Sequence, residues 1–147
     1  MPVRYFDDFA VGDRFATGST TLAEDEMLAF ARRYDPQPFH VDPAAAKETI
    51  YGGLIASGFQ TIAAGFRAIW DSGFLQGSSL GSPGFDELRW LKPVRPGDTL
   101  HVEAEVTELR PSHSKPDRGI VRIAYRYVNQ AGETVLTMSA MHLLRRR

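Results

Sequence analysis

The chain has 147 residues, 43% of them hydrophobic and 24% charged, which is the balance of one globular domain with its own core, read here as a single domain over residues 1–147. A net charge of −1 offers no surface for nucleic acid or an anionic membrane, and the lack of cysteine excludes disulfides, thiolate nucleophiles and cysteine-ligated metals. No apolar run reaches the ~20 residues of a membrane span, and Met1–Asp8 lacks the apolar centre of a signal peptide, so a cytoplasmic location is expected.

In chain order, Gly12-Asp13 marks a turn, and residues 14–22 read as a strand through Phe15, Thr17, Thr20 and Thr21. An acidic cluster then opens a helix, with Met27, Leu28, Ala31 and Tyr34 on one face; it ends near Tyr34, because Asp35 precedes a proline. Asp42 caps a short helix with Pro43 in its first turn. Residues 56–72 read as the longest helix, apolar at Ile62, Ala63, Phe66, Ile69 and Trp70. It is rich in small residues that suit close packing on a sheet. After a glycine- and serine-rich loop over 73–84 come four strands: 85–91, one alternating through Leu100, Val102, Ala104 and Val106, then 120–128 and 135–144. A basic tail, Arg145-Arg146-Arg147, reads as solvated. The order strand, helices, four strands predicts an α+β domain with an antiparallel sheet around the long helix.

The chemistry concentrates in Tyr34-Asp35-Pro36-Gln37-Pro38-Phe39-His40. Two prolines fix their own φ and restrict the residue before each, so the stretch reads as a stiff loop holding a carboxylate and an imidazole five residues apart. Histidine titrates near neutrality, and the two groups together can hold one water as an acid–base pair. Downstream, Tyr51-Gly52-Gly53 leads to Ser57 and Gly58 at the start of the long helix. A helix N-terminus presents free N–H groups, and glycine allows close approach to the backbone, as stabilising an oxyanion requires. Ser57 also reads as a helix cap, and Gly58 as a packing residue. Asp35 and His40 have no third partner at metal-ligand spacing, so neither a metal nor a cofactor is expected. His101, His113 and His142 read as structural or exposed, and Trp70 and Trp90 as core or interface, with the lining of an acyl pocket open to either.

The element Asp35-Pro36-Gln37-Pro38-Phe39-His40 resembles the D-x-N-P-x-H element of the MaoC-like dehydratases, the R-specific enoyl-CoA hydratases. Pro93-Val94-Arg95-Pro96-Gly97-Asp98 is similar to the turn before a long strand in the same proteins. Gln37 stands where the family has Asn, Tyr34 where it often has Gly, and Ser57 where a His often precedes the glycine. The resemblance implies a hot-dog fold, an acyl-CoA or acyl-carrier thioester as substrate, and a homodimer or dimer of dimers. It also implies reversible hydration of a 2-enoyl thioester to an R-3-hydroxyacyl thioester, with Asp35 and His40 catalytic and Ser57 and Gly58 at the thioester oxygen. Two other readings stay open: a thioesterase of the same fold, for which the long helix offers only Asp71, and a non-catalytic acyl-binding subunit.

Overall fold

A computed structural model describes residues 3–147. A single 3-10 turn over Phe6–Asp8 is followed by two short strands, β1 (Arg14–Ala16) and β2 (Thr20–Thr21). Four helices follow: α1 (Glu24–Tyr34), α2 (Pro38–Val41), α3 (Pro43–Lys47) and α4 (Gly58–Asp71). The chain ends in β3 (Gly84–Trp90), β4 (Thr99–Pro111), β5 (Arg118–Val128) and β6 (Thr134–Arg145). The six strands form one sheet in the order β1-β4-β5-β6-β3, with β2 also on β4; the pairings are antiparallel.

Strand alternation builds the core. Cross-strand register stacks Val102, Tyr127 and Leu136 in one row, Ala104, Tyr125 and Met138 in the next, and Val106, Ile123 and Ala140 in a third. All nine are buried, each large aliphatic among them contributing roughly 1.5–3 kcal/mol. Helix α4 packs on this face through Thr61, Gly65, Ala68 and Ile69. Gly65 is needed there, because a Cβ on it would overlap the Tyr127 ring. The Tyr127 hydroxyl donates to the Ile62 carbonyl at 3.1 Å, tying sheet to helix. An antiparallel sheet around one long helix is thus present, as the sequence implied.

Several elements differ in detail. The strand expected over 14–22 is two pieces, because the Thr17 side chain accepts from Val102 N–H at 2.9 Å and takes a backbone position in the ladder. Tyr34 is 61% exposed, since α1 ends there and its last turn passes the core; only Met27 and Ala31 of that face are buried. The long helix also turns a different face inward: Ile69 is buried, while Phe66 and Trp70 lie at the surface. The loop over 73–84 sends Phe74 and Leu75 into the core. The basic tail is not merely solvated: Arg146 and Arg147 pair with Asp7 and Asp8 and lie over the rings of Phe6 and Tyr5.

Candidate active site

Three segments converge at the N-terminus of α4. The first runs from the end of α1 into α2. Asp35 is the C-cap of α1, its N–H donating to Ala31 O at 2.8 Å. The expected loop then closes into a helical turn, because Pro38 sits at the first position of α2, where its ring costs no hydrogen bond. That turn swings His40 back toward Asp35. The second segment, Leu54–Ser57, is pinned on both sides: Ile55 N–H donates to Phe39 O at 3.1 Å, and Ala56 N–H to Val94 O at 2.8 Å. The third is the stretch 90–94, the last residue of β3 and the turn after it.

His40 Nε2 stands 3.2 Å from Asp35 Oδ2, and both side chains are nearly buried. His40 Nδ1 lies 2.9 Å from the carbonyl oxygen of Ile55. A carbonyl only accepts, so Nδ1 carries the proton and Nε2 is the nitrogen left to exchange one with a bound molecule. Asp35 is held on both oxygens: Gln37 Nε2 donates to Oδ1 at 2.7 Å and Ser57 Oγ donates to Oδ2 at 2.8 Å. Burial pushes the Asp35 carboxyl up, but the hydrogen bonds from Gln37 and Ser57 and the charge of protonated His40 outweigh it. Asp35 is held below the usual carboxylate range. It is therefore an acceptor at neutral pH.

Ser57 is the N-cap of α4, accepting from Phe59 N–H at 3.3 Å. Its hydroxyl hydrogen is committed to Asp35, so it orients the carboxylate. The Gly58 N–H meets no acceptor among the described residues, and of the two it is the donor left for an oxyanion.

Asp35, Gln37, His40 and Gly58 line a cavity of about 420 Å³, with Ser57 buried behind them. Phe39, Tyr51, Phe59, Trp90 and Leu91 give it apolar walls, and Lys92 stands at its edge, paired with Glu133. A larger groove of about 760 Å³ lies on the outer face of the sheet, where Arg14 pairs with Glu105 and Arg126 with Glu103. It has no comparable buried acid–base pair. His101 bonds Glu103, and His142 is buried under the sheet against Tyr125. Trp90, read from the sequence as core or interface with an acyl-pocket wall as the alternative, is a wall of the cavity.

The family model of the MaoC like domain matches residues 8–124. The chain belongs to this family. A crystal structure of a MaoC-like dehydratase from Rhodospirillum rubrum is 42% identical, covers 98% of each chain and superposes with a TM-score of 0.90. An (R)-specific enoyl-CoA hydratase of the same species is 32% identical over 74% of this chain and 74% of its own length. A Mycobacterium tuberculosis protein with a double hotdog fold is 21% identical over 99% of this chain and 45% of its own, with a TM-score of 0.78, and shares the fold. The MaoC-like domain here is thus a hot-dog fold. It spans 33% of the length of Protein MaoC from Klebsiella aerogenes and 42% of the mesaconyl-CoA hydratase from Cereibacter sphaeroides.

Proposed function

We propose that this MaoC-like domain hydrates a 2-enoyl thioester, reversibly, to the R-3-hydroxyacyl thioester. The reading rests on one observation above all: an ionised Asp35 and the Nε2 of His40 face each other at 3.2 Å in the cavity that Gly58 also lines. A water bound between Asp35 Oδ2 and His40 Nε2 gives its hydroxyl to C3 of the alkene. The proton it loses is held by the pair and returns to C2. The electron pair of the double bond moves onto the thioester oxygen as an enolate, which Gly58 N–H and the positive end of α4 stabilise, and comes back when C2 is protonated. Atoms balance as addition of one water. Both new bonds form on the face that meets the pair, so addition is syn. The related (R)-specific enoyl-CoA hydratase supports the reaction class and the R product.

Incubation with crotonyl-CoA tests this. Loss of the conjugated-enoyl absorbance without release of free thiol, and an R-3-hydroxyacyl product on chiral analysis, are expected. Thiol release would mark a thioesterase, and an S product would refute the assigned face. Asp71, the carboxylate of α4, lies at the far end of the helix and is bonded to Arg67, which leaves the thioesterase reading without a base on the long helix.

A homodimer is part of the same proposal. Phe59, Phe66 and Trp70 lie exposed along one side of α4, and β3 is an unpaired sheet edge among the described residues. Sedimentation at micromolar concentration is expected to give twice the chain mass; a monomer would refute it.

A further inference from the structure

Trp90 reaches the cavity because of a defect in its strand. Strand β3 pairs with β6 through Asp86↔Ser139 and resumes at Arg89↔Thr137. Glu87 and Leu88 therefore stand opposite the single residue Met138. Glu87 takes up the extra residue with φ of 55°, the left-handed conformation that a side chain disfavours. Without this bulge, alternation would put Phe85, Glu87 and Arg89 on the inner face and Trp90 outside. With it, Phe85 lies beside Ala140 and Trp90 beside Leu136, both inward.

Turned inward, Trp90 packs against the first residue of α4. Its Nε1–H donates to the Gly58 carbonyl at 3.1 Å. Its ring meets Phe59 edge-on with centroids 6.3 Å apart. The indole occupies the space over Gly58 so fully that a Cβ there would overlap it. The missing side chain of Gly58 thus makes room for a protein ring. The peptide joining Gly58 to Phe59 is consequently held at both ends, its oxygen by Trp90 and its N–H by Ser57 Oγ at 3.3 Å. The peptide before it, which carries the Gly58 N–H, is held through its own oxygen, Ser57 O accepting from Thr61 N–H at 3.1 Å. Trp90 restrains the other side of Gly58, the residue type with the widest backbone freedom, and so limits rotation between the two peptides.

We infer that Trp90 is a positioning residue for the thioester-oxygen donor: by fixing the Gly58 carbonyl it aims the Gly58 N–H at the substrate carbonyl. The inference rests on the proposed function only for thioester binding. It does not need hydration to occur.

Two variants remove the indole donor. Trp90→Phe keeps an aromatic ring; benzothienylalanine incorporated at position 90 keeps both rings. Each is bound to butyryl-CoA, a saturated thioester labelled with 13C at the carbonyl, and the carbonyl stretch is read by difference infrared spectroscopy. Wild type is expected to lower the stretch on binding, and both variants to lose most of that lowering while their thermal midpoints stay near wild type. With crotonyl-CoA, both should lose about tenfold in kcat, less than deletion of an oxyanion donor, with KM within about twofold. A wild-type carbonyl band in both variants, or a loss confined to KM, overturns the inference. So does a wild-type protein that binds no thioester, or binds one with an unshifted carbonyl. A Trp90-dependent shift in a protein that hydrates nothing upholds the inference and sinks the hydration reading instead.

Discussion

His142 should make the protein acid-labile well above the carboxylate range. It lies on the inner face of β6, buried, with Nε2 and the Tyr125 hydroxyl sharing a hydrogen bond of 2.7 Å. Burial pushes its pKa from 6.5 down to about 4. The unfolded chain therefore takes up this proton first as pH falls. The folded state carries its full stability above pH 6.5, loses it progressively between 6.5 and about 4, and loses no more through this group below that. A gap of about 2.5 pH units, at about 1.36 kcal/mol each, comes to roughly 3 kcal/mol. That is a large part of a small domain's total of about 5–15 kcal/mol. The carboxylates held below their ordinary values, Asp7, Asp8, Asp35, Glu103, Asp117 and Glu133, start from 3.8 or 4.5, so their losses set in at lower pH. Urea unfolding followed by tryptophan fluorescence at intervals from pH 7.5 to 4.5 isolates the effect. Wild type should lose stability steadily below pH 6.5, while His142→Gln, which keeps a polar partner for Tyr125, should be nearly flat down to pH 5. A flat wild-type profile, or the same slope in both proteins, would refute the reasoning.

Three further outcomes are expected. Asp35→Asn and His40→Ala should each lower kcat by ~10²-fold or more, and the double variant should be little worse than the poorer single one, because both groups act on one water; losses that multiply in steady-state assays would exclude a shared water. Gly65→Ala should destabilise by about 2 kcal/mol in urea titration, since overlap with the buried Tyr127 ring outweighs the ~1 kcal/mol of helix propensity gained; a more stable variant would show that the helix can retreat freely. Glu87→Gly should raise stability by about 0.5–1 kcal/mol by relieving the positive φ of the bulge, with kcat unchanged; a destabilised variant would mean that the bulge carries no strain.

The sheet was legible because alternation at Leu100, Val102, Ala104 and Val106 leaves one face apolar, and only one register then buries it. The α2 turn was not, because Pro36 and Pro38 both read as breakers; what decides is that Pro38 falls at a first helical position. Tyr34 continued the apolar face of α1 in periodicity but not in space, since its ring meets its own helix neighbours Phe30 and Arg33 and stays exposed. Trp90 was illegible for a sharper reason. Its inward direction depends on an extra residue at Glu87-Leu88, and a bulge built on a non-glycine residue leaves no mark in the sequence. For Ser57 and Gly58 the position at the helix start was readable, but the division between them was not. That division comes from Asp35, which arrives from another segment and claims the Ser57 hydroxyl.

That claim bears on how the acid–base pair divides its work. Each Asp35 oxygen is met by a neutral donor, Gln37 on one and Ser57 on the other, and His40 adds a contact that carries charge only when protonated. The carboxylate is thus stabilised in both protonation states of the histidine. In the proposed hydration it can stay ionised while Nε2 alternates between empty and loaded, which makes His40 the place where the proton taken from water would be stored. Ile55 makes this possible from the other side of the ring: its carbonyl holds the Nδ1 proton in place, so that only Nε2 exchanges. Gln37 in place of the family's Asn fits the same logic, because its amide still donates to Oδ1 at 2.7 Å. What the fold supplies is convergence. A helix C-cap, a one-turn helix and a pinned extended segment deliver the carboxylate, the imidazole and the fixing carbonyl to the N-terminus of α4, where the Gly58 N–H meets no acceptor among the described residues.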